Sequence, residues 1–408
     1  MNKTMLIWVR LLAFAATALA GATFAGNPRN VILCLGDGMG PEHISAARYY
    51  LGTNLVFESF AHQSIMQTTN ALGETTDSAA SATAMATGFK VANDVLSMLS
   101  GAELETALEY YKKRGKSTGL VTTDDMTNAS PAAFGAHAIS RDDRDDIAND
   151  YLAQTRPNVF LGGGGNGLNP TAARAAGYTV VTNRAELLAV DTDAVTMLSG
   201  QFGDDSLPFM TERPPDLPRL YEMAETALDI LDNDPDGFFL FLEEEHSDSA
   251  SHRHDITNVT HAVEELSLAV ESILEWIGDR TDTLLIVTAD HESGGLKSVE
   301  DQGIGHYPSV KWDSWDHTDK PVAVYATGLN AHLATNVTDN SDIHDLLLSS
   351  ATPPERLVAN SVDVEGVTVE WTSCSGEVYR VEKSPSLIDP DWAAASVKTA
   401  DSFRVVFD

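Results

Sequence analysis

The chain has 408 residues, 43% of them hydrophobic, and sets 60 acidic against 26 basic side chains for a formal net charge of −34. That apolar content can bury a large core, which excludes disorder of the whole chain, while so negative a surface repels nucleic acid and anionic membrane. An anionic ligand therefore needs a locally positive site; with few Lys and Arg to build one, the ready source of positive charge is bound metal.

The chain opens on MNKTMLIWVR followed by LLAFAATALAGATFA. A basic segment, a short apolar run and small residues at Ala20 and Ala25 read as an export signal over residues 1–25. The run is short for a bilayer span and diluted with Ala, Gly and Thr, so a periplasmic or secreted protein with no membrane attachment after cleavage is expected. Cleavage after Ala20 removes Lys3 and Arg10 and takes the charge from −34 to −36. Salt screens such charge, which suits a salt-adapted protein.

Six apolar runs follow: NVILCLG at 30–36, STGLVTT at 117–123, PNVFLG at 157–162, GFFLFLE at 237–243, TLLIVTA at 283–289 and PVAVYAT at 321–327. They do not alternate in polarity, as expected of parallel strands covered on both faces. Leu104, Ala107, Leu108 and Tyr111, and later Leu220, Met223, Ala227, Leu228 and Leu231, keep helical spacing between them. The fold class is α/β, a predominantly parallel central sheet with helices on both faces, over residues 26–350. Beyond Pro353-Pro354, the alternating GVTVEWTS, EVYRVEKS and FRVVFD have no helical period, so 351–408 reads as a linker and a small β-rich module. Its sequence looks like the β-sandwich modules that trail many exported bacterial enzymes. Cys34 and Cys374 lie far apart, and Cys34 sits in an apolar run, which argues against a disulfide framework.

Polar residues gather just past the C-terminal ends of these runs: Asp37 after the first, Glu243 in GFFLFLE, Asp290 and His291 after TLLIVTA. In open parallel sheets that edge binds ligands. In HSDSASHRHD, Asp248 precedes His252 by four residues, which puts both on one face of a helical turn. His246, His254 and His261 read instead as part of an acidic, His-rich surface stretch. His317 stands in WDHTDKP ahead of the last run. Imidazole with carboxylate suits zinc, whereas an all-oxygen set such as Asp37, Glu243 and a hydroxyl suits magnesium.

GDGMG at 36–40, DSAASATAMATG at 77–88, ASPAAFGAHAISR at 129–141, EEEHSDSASH at 243–252, TADH at 288–291 and DHT at 316–318 resemble, in order and spacing, the alkaline phosphatase family. The resemblance covers residues 29–349. It implies a phosphomonoesterase with Ser78 as nucleophile, turning over through phosphoserine. It implies a first zinc site of Asp248, His252 and His317, and a second of Asp37, Asp290 and His291 beside Ser78. Asp37 would bridge to a magnesium with Glu243 and Ser130, Arg141 would clamp phosphate and Asp77 would orient Arg141. The implied partners are small phosphate monoesters, with nucleic acid engaged only through terminal phosphates, and a homodimer is compatible with the family.

The chain departs from the family pattern at three positions: Asn128 where a carboxylate or histidine is usual, Ser249 where Lys, His or Trp follows the zinc-ligand Asp, and Ser130 for threonine. A neutral amide at 128 leads to the expectation of weak magnesium binding. Two rivals stand beside this reading: a phosphodiesterase or sulfatase of the same broad fold, and a secreted phosphate-binding or calcium-stabilised adhesive protein without catalysis.

Overall fold

The structure, a computed structural model, describes residues 27–348 in full and, outside them, six strands. The chain divides into two compact units, Gly26–Ser349 and a second made of Met1–Ala25 with Ser350–Asp408.

The larger unit is organised by a nine-stranded sheet: β1 (Asn30–Gly36), β2 (His62–Met66), β3 (Ser117–Asp125), β4 (Val159–Gly163), β5 (Thr179–Val181), β6 (Leu198–Gln201), β7 (Phe238–Glu244), β8 (Thr283–Thr288) and β9 (Val322–Gly328). Their spatial order is β2-β9-β8-β1-β7-β3-β4-β6-β5. From β8 to β5 all neighbours are parallel, while β9 runs antiparallel to β8 and to β2. The run PVAVYAT was expected among the parallel strands. It is reversed because no helix lies between β8 and β9 to carry the chain back to the starting edge, and a parallel neighbour needs such a crossover. Strands β2, β5 and β6 had no apolar run to announce them: β2 is half exposed, and β5 and β6 are three and four residues long.

The central strands are buried throughout, so their continuous Val, Ile, Leu and Phe are core on both faces. The long α6 (Ile256–Ile277) packs against both α1 (Pro41–Leu51) and α4 (Leu220–Leu231), and α4 and α6 lie on the sheet. The buried stripe of α6, Val259, Val263, Leu266, Val270 and Ile273, steps by four and three residues, and Asp255 caps its first turn. A second group joins α2 (Ser78–Thr87), α3 (Ala129–Gly135) and the helix Asp342–Leu348. The short α5 (His246–Ser251) follows β7 directly.

In the smaller unit, the described strands form two antiparallel three-stranded sheets. Trp8–Phe14, Val378–Ser384 and Ala393–Thr399 make one; Val358–Val362, Val367–Thr372 and Arg404–Phe407 make the other. Trp8–Phe14 falls inside the segment read as an export signal; both candidate cleavage residues, Ala20 and Ala25, and Cys374 lie outside the described residues. Among the described residues no helix is long and apolar enough to cross a membrane.

Candidate active site

Four parallel strands deliver their C-terminal ends to one edge, and the chain leaves each with a polar residue. Asp37 follows β1, Glu243 is the last residue but one of β7, Asp290 and His291 follow β8, and β3 leads to Asn128 and Ser130 at the start of α3. Gly38, in the left-handed region at φ 67°, lets this edge close up: a Cβ there would lie 2.8 Å from Asp248 Oδ1, and its N–H donates to Asp290 Oδ1 at 3.1 Å.

Asp248, His252 and His317 form one cluster of donor atoms and Asp37, Asp290 and His291 another. In the first, Asp248 on α5 meets His252 Nε2 at 3.3 Å, one turn on, and His317 Nε2 at 3.4 Å. The outer ring nitrogens face main-chain carbonyls, His252 Nδ1 the oxygen of Trp315 at 2.7 Å and His317 Nδ1 that of Thr76 at 2.9 Å. Those acceptors put the rings' first protons outside and turn both Nε2 atoms inward, 3.1 Å apart. Asp248 draws positive charge onto the rings. Hydrogen bonding to it pushes His252 up to about 9, and it raises His317 against the opposing effect of burial.

In the second cluster, His291 Nε2 lies 3.0 Å from Asp290 Oδ2 and 3.4 Å from Asp37 Oδ1. These two carboxylate oxygens are buried and meet no hydrogen-bond donor in good geometry. Burial, and then the nearby Asp290, Asp248, Glu243 and Glu245, push Asp37 well above the usual carboxylate range. Inward imidazole nitrogens beside orphaned carboxylate oxygens form a donor set fitted to a borderline divalent cation. The rings of His291 and His317 stack at 3.6 Å and join the two clusters.

Ser78 is the first residue of α2, whose ten residues are all buried, and its Oγ lies 3.3 Å from His291 Nε2. The preceding Asp77 caps the helix by accepting from Ala80 N at 2.9 Å. Its other oxygen accepts from Asp94 N at 2.9 Å and from Arg141 Nη1 at 3.3 Å. Ser81, one turn on, donates to the main-chain oxygen of Asp290 at 2.7 Å, stapling the helix to the end of β8.

In the oxygen set read for magnesium, Glu243 accepts from Thr122 at 2.6 Å. Burial and then Asp124 push it up to about 8. Ser130 Oγ is buried close enough to Glu243 to steady it, yet makes no hydrogen bond of ordinary geometry.

The structure gives other groups partners that the sequence did not reveal. Asn128 Oδ1 accepts from Arg141 Nη2 at 3.0 Å and from Ala129 N at 2.7 Å, so it is engaged with the arginine. Ser293 donates to Asp248, and Ser249 donates to Glu245 at 2.5 Å. His246 is not on the surface: it is 4% exposed, its Nε2 bonded to Leu207 O at 2.7 Å and its Nδ1 3.2 Å from Glu244, because β7 runs straight into α5 and leaves it beneath the chain. His254 and His261 are half-buried. His254 is sandwiched between Trp312 and Trp315, and His261 lies between Glu264 and Tyr307. Glu244, His246 and Glu265 also bring donor atoms together, but Arg213 and Arg219 already pair with Glu265.

A family model described as Alkaline phosphatase matches residues 28–310. The chain belongs to the alkaline phosphatase family. It is 32% identical over 376 residues to alkaline phosphatase 3 of Bacillus subtilis, covering 87% of this chain and 78% of that one. It is 30% identical over 421 residues to the streptomycin-6-phosphate phosphatase of Streptomyces griseus, covering 82% and 93%. Among solved structures, the cold-active alkaline phosphatase of a psychrophilic Shewanella superposes with a TM-score of 0.72 at 28% identity, covering 78% of this chain and 99% of that one.

Proposed function

We propose that the protein is an exported, metal-dependent phosphomonoesterase that cleaves phosphate esters through a phosphoserine at Ser78. The observation that carries this reading is Ser78 Oγ at the head of a buried helix, 3.3 Å from His291 Nε2, with Arg141 tied to the neighbouring Asp77.

A serine hydroxyl is a poor nucleophile near neutral pH, and a terminal phosphate is a dianion. Zinc held by Asp248, His252 and His317 and by Asp37, Asp290 and His291, with magnesium held by Asp37, Ser130 and Glu243, would supply Lewis acidity and positive charge. The chain's own groups do the rest. The free N–H groups and dipole of α2 favour a phosphate over Ser78. Arg141 offers two parallel donors to phosphate oxygens, with Asp77 and Asn128 fixing the plane of its guanidinium. Ser78 gives up its hydroxyl proton as Oγ forms the bond to phosphorus and the ester bond opposite breaks, and the departing alkoxide takes up a proton, so that none is gained or lost overall. Water then cleaves phosphoserine, releasing phosphate and returning Ser78. Carbonyl oxygens of Thr76 and Trp315 hold His317 and His252 in the ligating tautomer throughout.

Phosphoserine turnover predicts that Tris competes with water as phosphate acceptor, and that Ser78→Ala abolishes both products. Undiminished hydrolysis by Ser78→Ala would refute it. Rates on a monoester and on a bis-nitrophenyl diester separate this reading from a phosphodiesterase. Arg141, suited to a dianionic terminal phosphate, favours the monoester. The streptomycin-6-phosphate relative makes a panel of sugar and alcohol phosphates the natural way to find the substrate.

A further inference from the structure

Strand β7 leaves the sheet through three consecutive glutamates, and only the first belongs to the metal-holding set above. Glu244 turns to the main-chain N–H groups of His246 and Ser247. Glu245 returns to the side of Glu243: Glu243 stands opposite Thr122 of β3, and the N–H of Glu245 donates to Thr123 Oγ1 at 2.9 Å. The next residue of β3 is Asp124. Its charge is the largest carboxylate influence on both Glu243 and Glu245. These groups are buried, Glu243 1%, Asp124 5% and Glu245 9% exposed.

Each carboxylate is steadied through one oxygen. Ser249 holds Glu245 Oε1 at 2.5 Å, while Ser206 and the N–H of Asp125 hold Asp124 Oδ1 at 2.5 and 2.7 Å. Glu245 Oε2 is buried without any donor, as are Ser130 Oγ and Asp37 Oδ1. Among the described residues no Lys or Arg forms an ion pair with Asp124, Glu243 or Glu245. Arg141 is committed to Asp77 and Asn128. The nearby His246 is paired with Glu244, and carboxylates buried in this number stay ionised only beside a further compensating cation, burial otherwise protonating them.

We propose that Glu245 and Asp124 belong to the cation site of Asp37, Ser130 and Glu243, where they accept hydrogen bonds from the water shell of a bound divalent cation. This rests on the metal-dependent reading above. Magnesium gives up its waters reluctantly, so a site with three protein oxygens leaves waters whose hydrogens need acceptors. Asn128 cannot serve, because its oxygen already accepts two bonds. The acceptors are then Glu245 and Asp124, and the Ser249 hydroxyl is what aims Glu245. The ion is accordingly bound tightly, contrary to the expectation drawn from Asn128.

The test is calorimetric titration of the zinc-loaded full chain with magnesium chloride, alongside the rise in melting temperature that magnesium produces. Glu245→Gln, which keeps shape and removes charge, should weaken magnesium binding about tenfold or more and shrink that rise. Asp124→Asn should act in the same direction, and it carries the test if Glu245→Gln does not fold. Asp232→Asn, a surface ion-pair partner of Arg280, controls for net charge and should leave the affinity unchanged. Wild-type affinity in both Glu245→Gln and Asp124→Asn overturns the inference alone. Absence of magnesium binding to the wild type overturns the third cation of the proposed function with it.

Discussion

The two walls of the site are neutralised by different means. On one, Arg141, Asp77, Asn128 and the main chain of Asp94 satisfy one another with protein groups alone. On the other, at the strand ends, Asp37, Asp290, Ser130 and Glu245 each keep a buried oxygen without a donor, and two imidazoles turn their inner nitrogens toward each other. The first wall is organised by the fold before any ligand arrives, whereas the second is organised for ions. Stability and activity should therefore separate, metal controlling both on the strand-end wall and side chains controlling mainly activity on the clamp wall.

Removing metal should have the largest effect. Exhaustive chelation should lower activity by at least ~1,000-fold, since the ions supply several kcal/mol to the transition state. It should also lower the melting temperature by ~10 °C, as buried carboxylates lose their compensation. Zinc should restore both better than calcium. A chelated protein with unchanged melting temperature would erase the contrast between the walls.

Arg141→Ala tests the other side. The loss of a preorganised donor pair should cost ~100-fold in kcat/KM, while the melting temperature stays within ~2 °C of wild type, the residue being exposed enough to leave no cavity. A melting point as low as that of the chelated enzyme would show that the clamp also carries structure.

Asn128→Ala should cost about tenfold in kcat/KM, the worth of one hydrogen bond to a charged group, with magnesium affinity unchanged. If magnesium affinity falls instead, Asn128 belongs to the strand-end wall.

The smallest effect concerns pH. Burial lowers His137, but its contacts with Asp150 and Glu109 outweigh that and push it up to about 10. A raised value means that folding takes up a proton. This stability is complete below the unfolded value of about 6.5 and is lost as pH climbs through about 10. Melting temperatures between pH 7 and 10 should fall less steeply in His137→Gln than in wild type. Parallel slopes would remove His137 from the account.

The long apolar runs of the central strands were legible because full burial leaves one-sided polarity no place, and so were the polar residues at their ends. Strand β9 misled, since an inner strand paired on both sides reads like its parallel neighbours whichever way it runs; the deciding feature was a helix that is missing. Of the site, residues fixed by short-range pattern could be found: Asp248 and His252 one turn apart, Asp290 and His291 adjacent, Ser78 at a helix start. Groups that act across the sheet could not. The carbonyls of Thr76 and Trp315 have no side-chain signature, Asn128 reads equally well as a turn residue, and nothing in EEE says that Glu244 turns to the main chain of α5 while Ser249 holds Glu245.

Helix α2 contains no charged residue and nothing bulkier than Met85, and Ser81 fastens it to the chain beyond β8. Its thickness is thus a gauge block that sets the gap between Ser78 and the strand ends. Substitutions elsewhere can accumulate one at a time, but this helix admits no added bulk without changing the gap. The distance from Ser78 to the strand ends is thereby carried by side-chain volume, which leaves residues outside this contact free to drift.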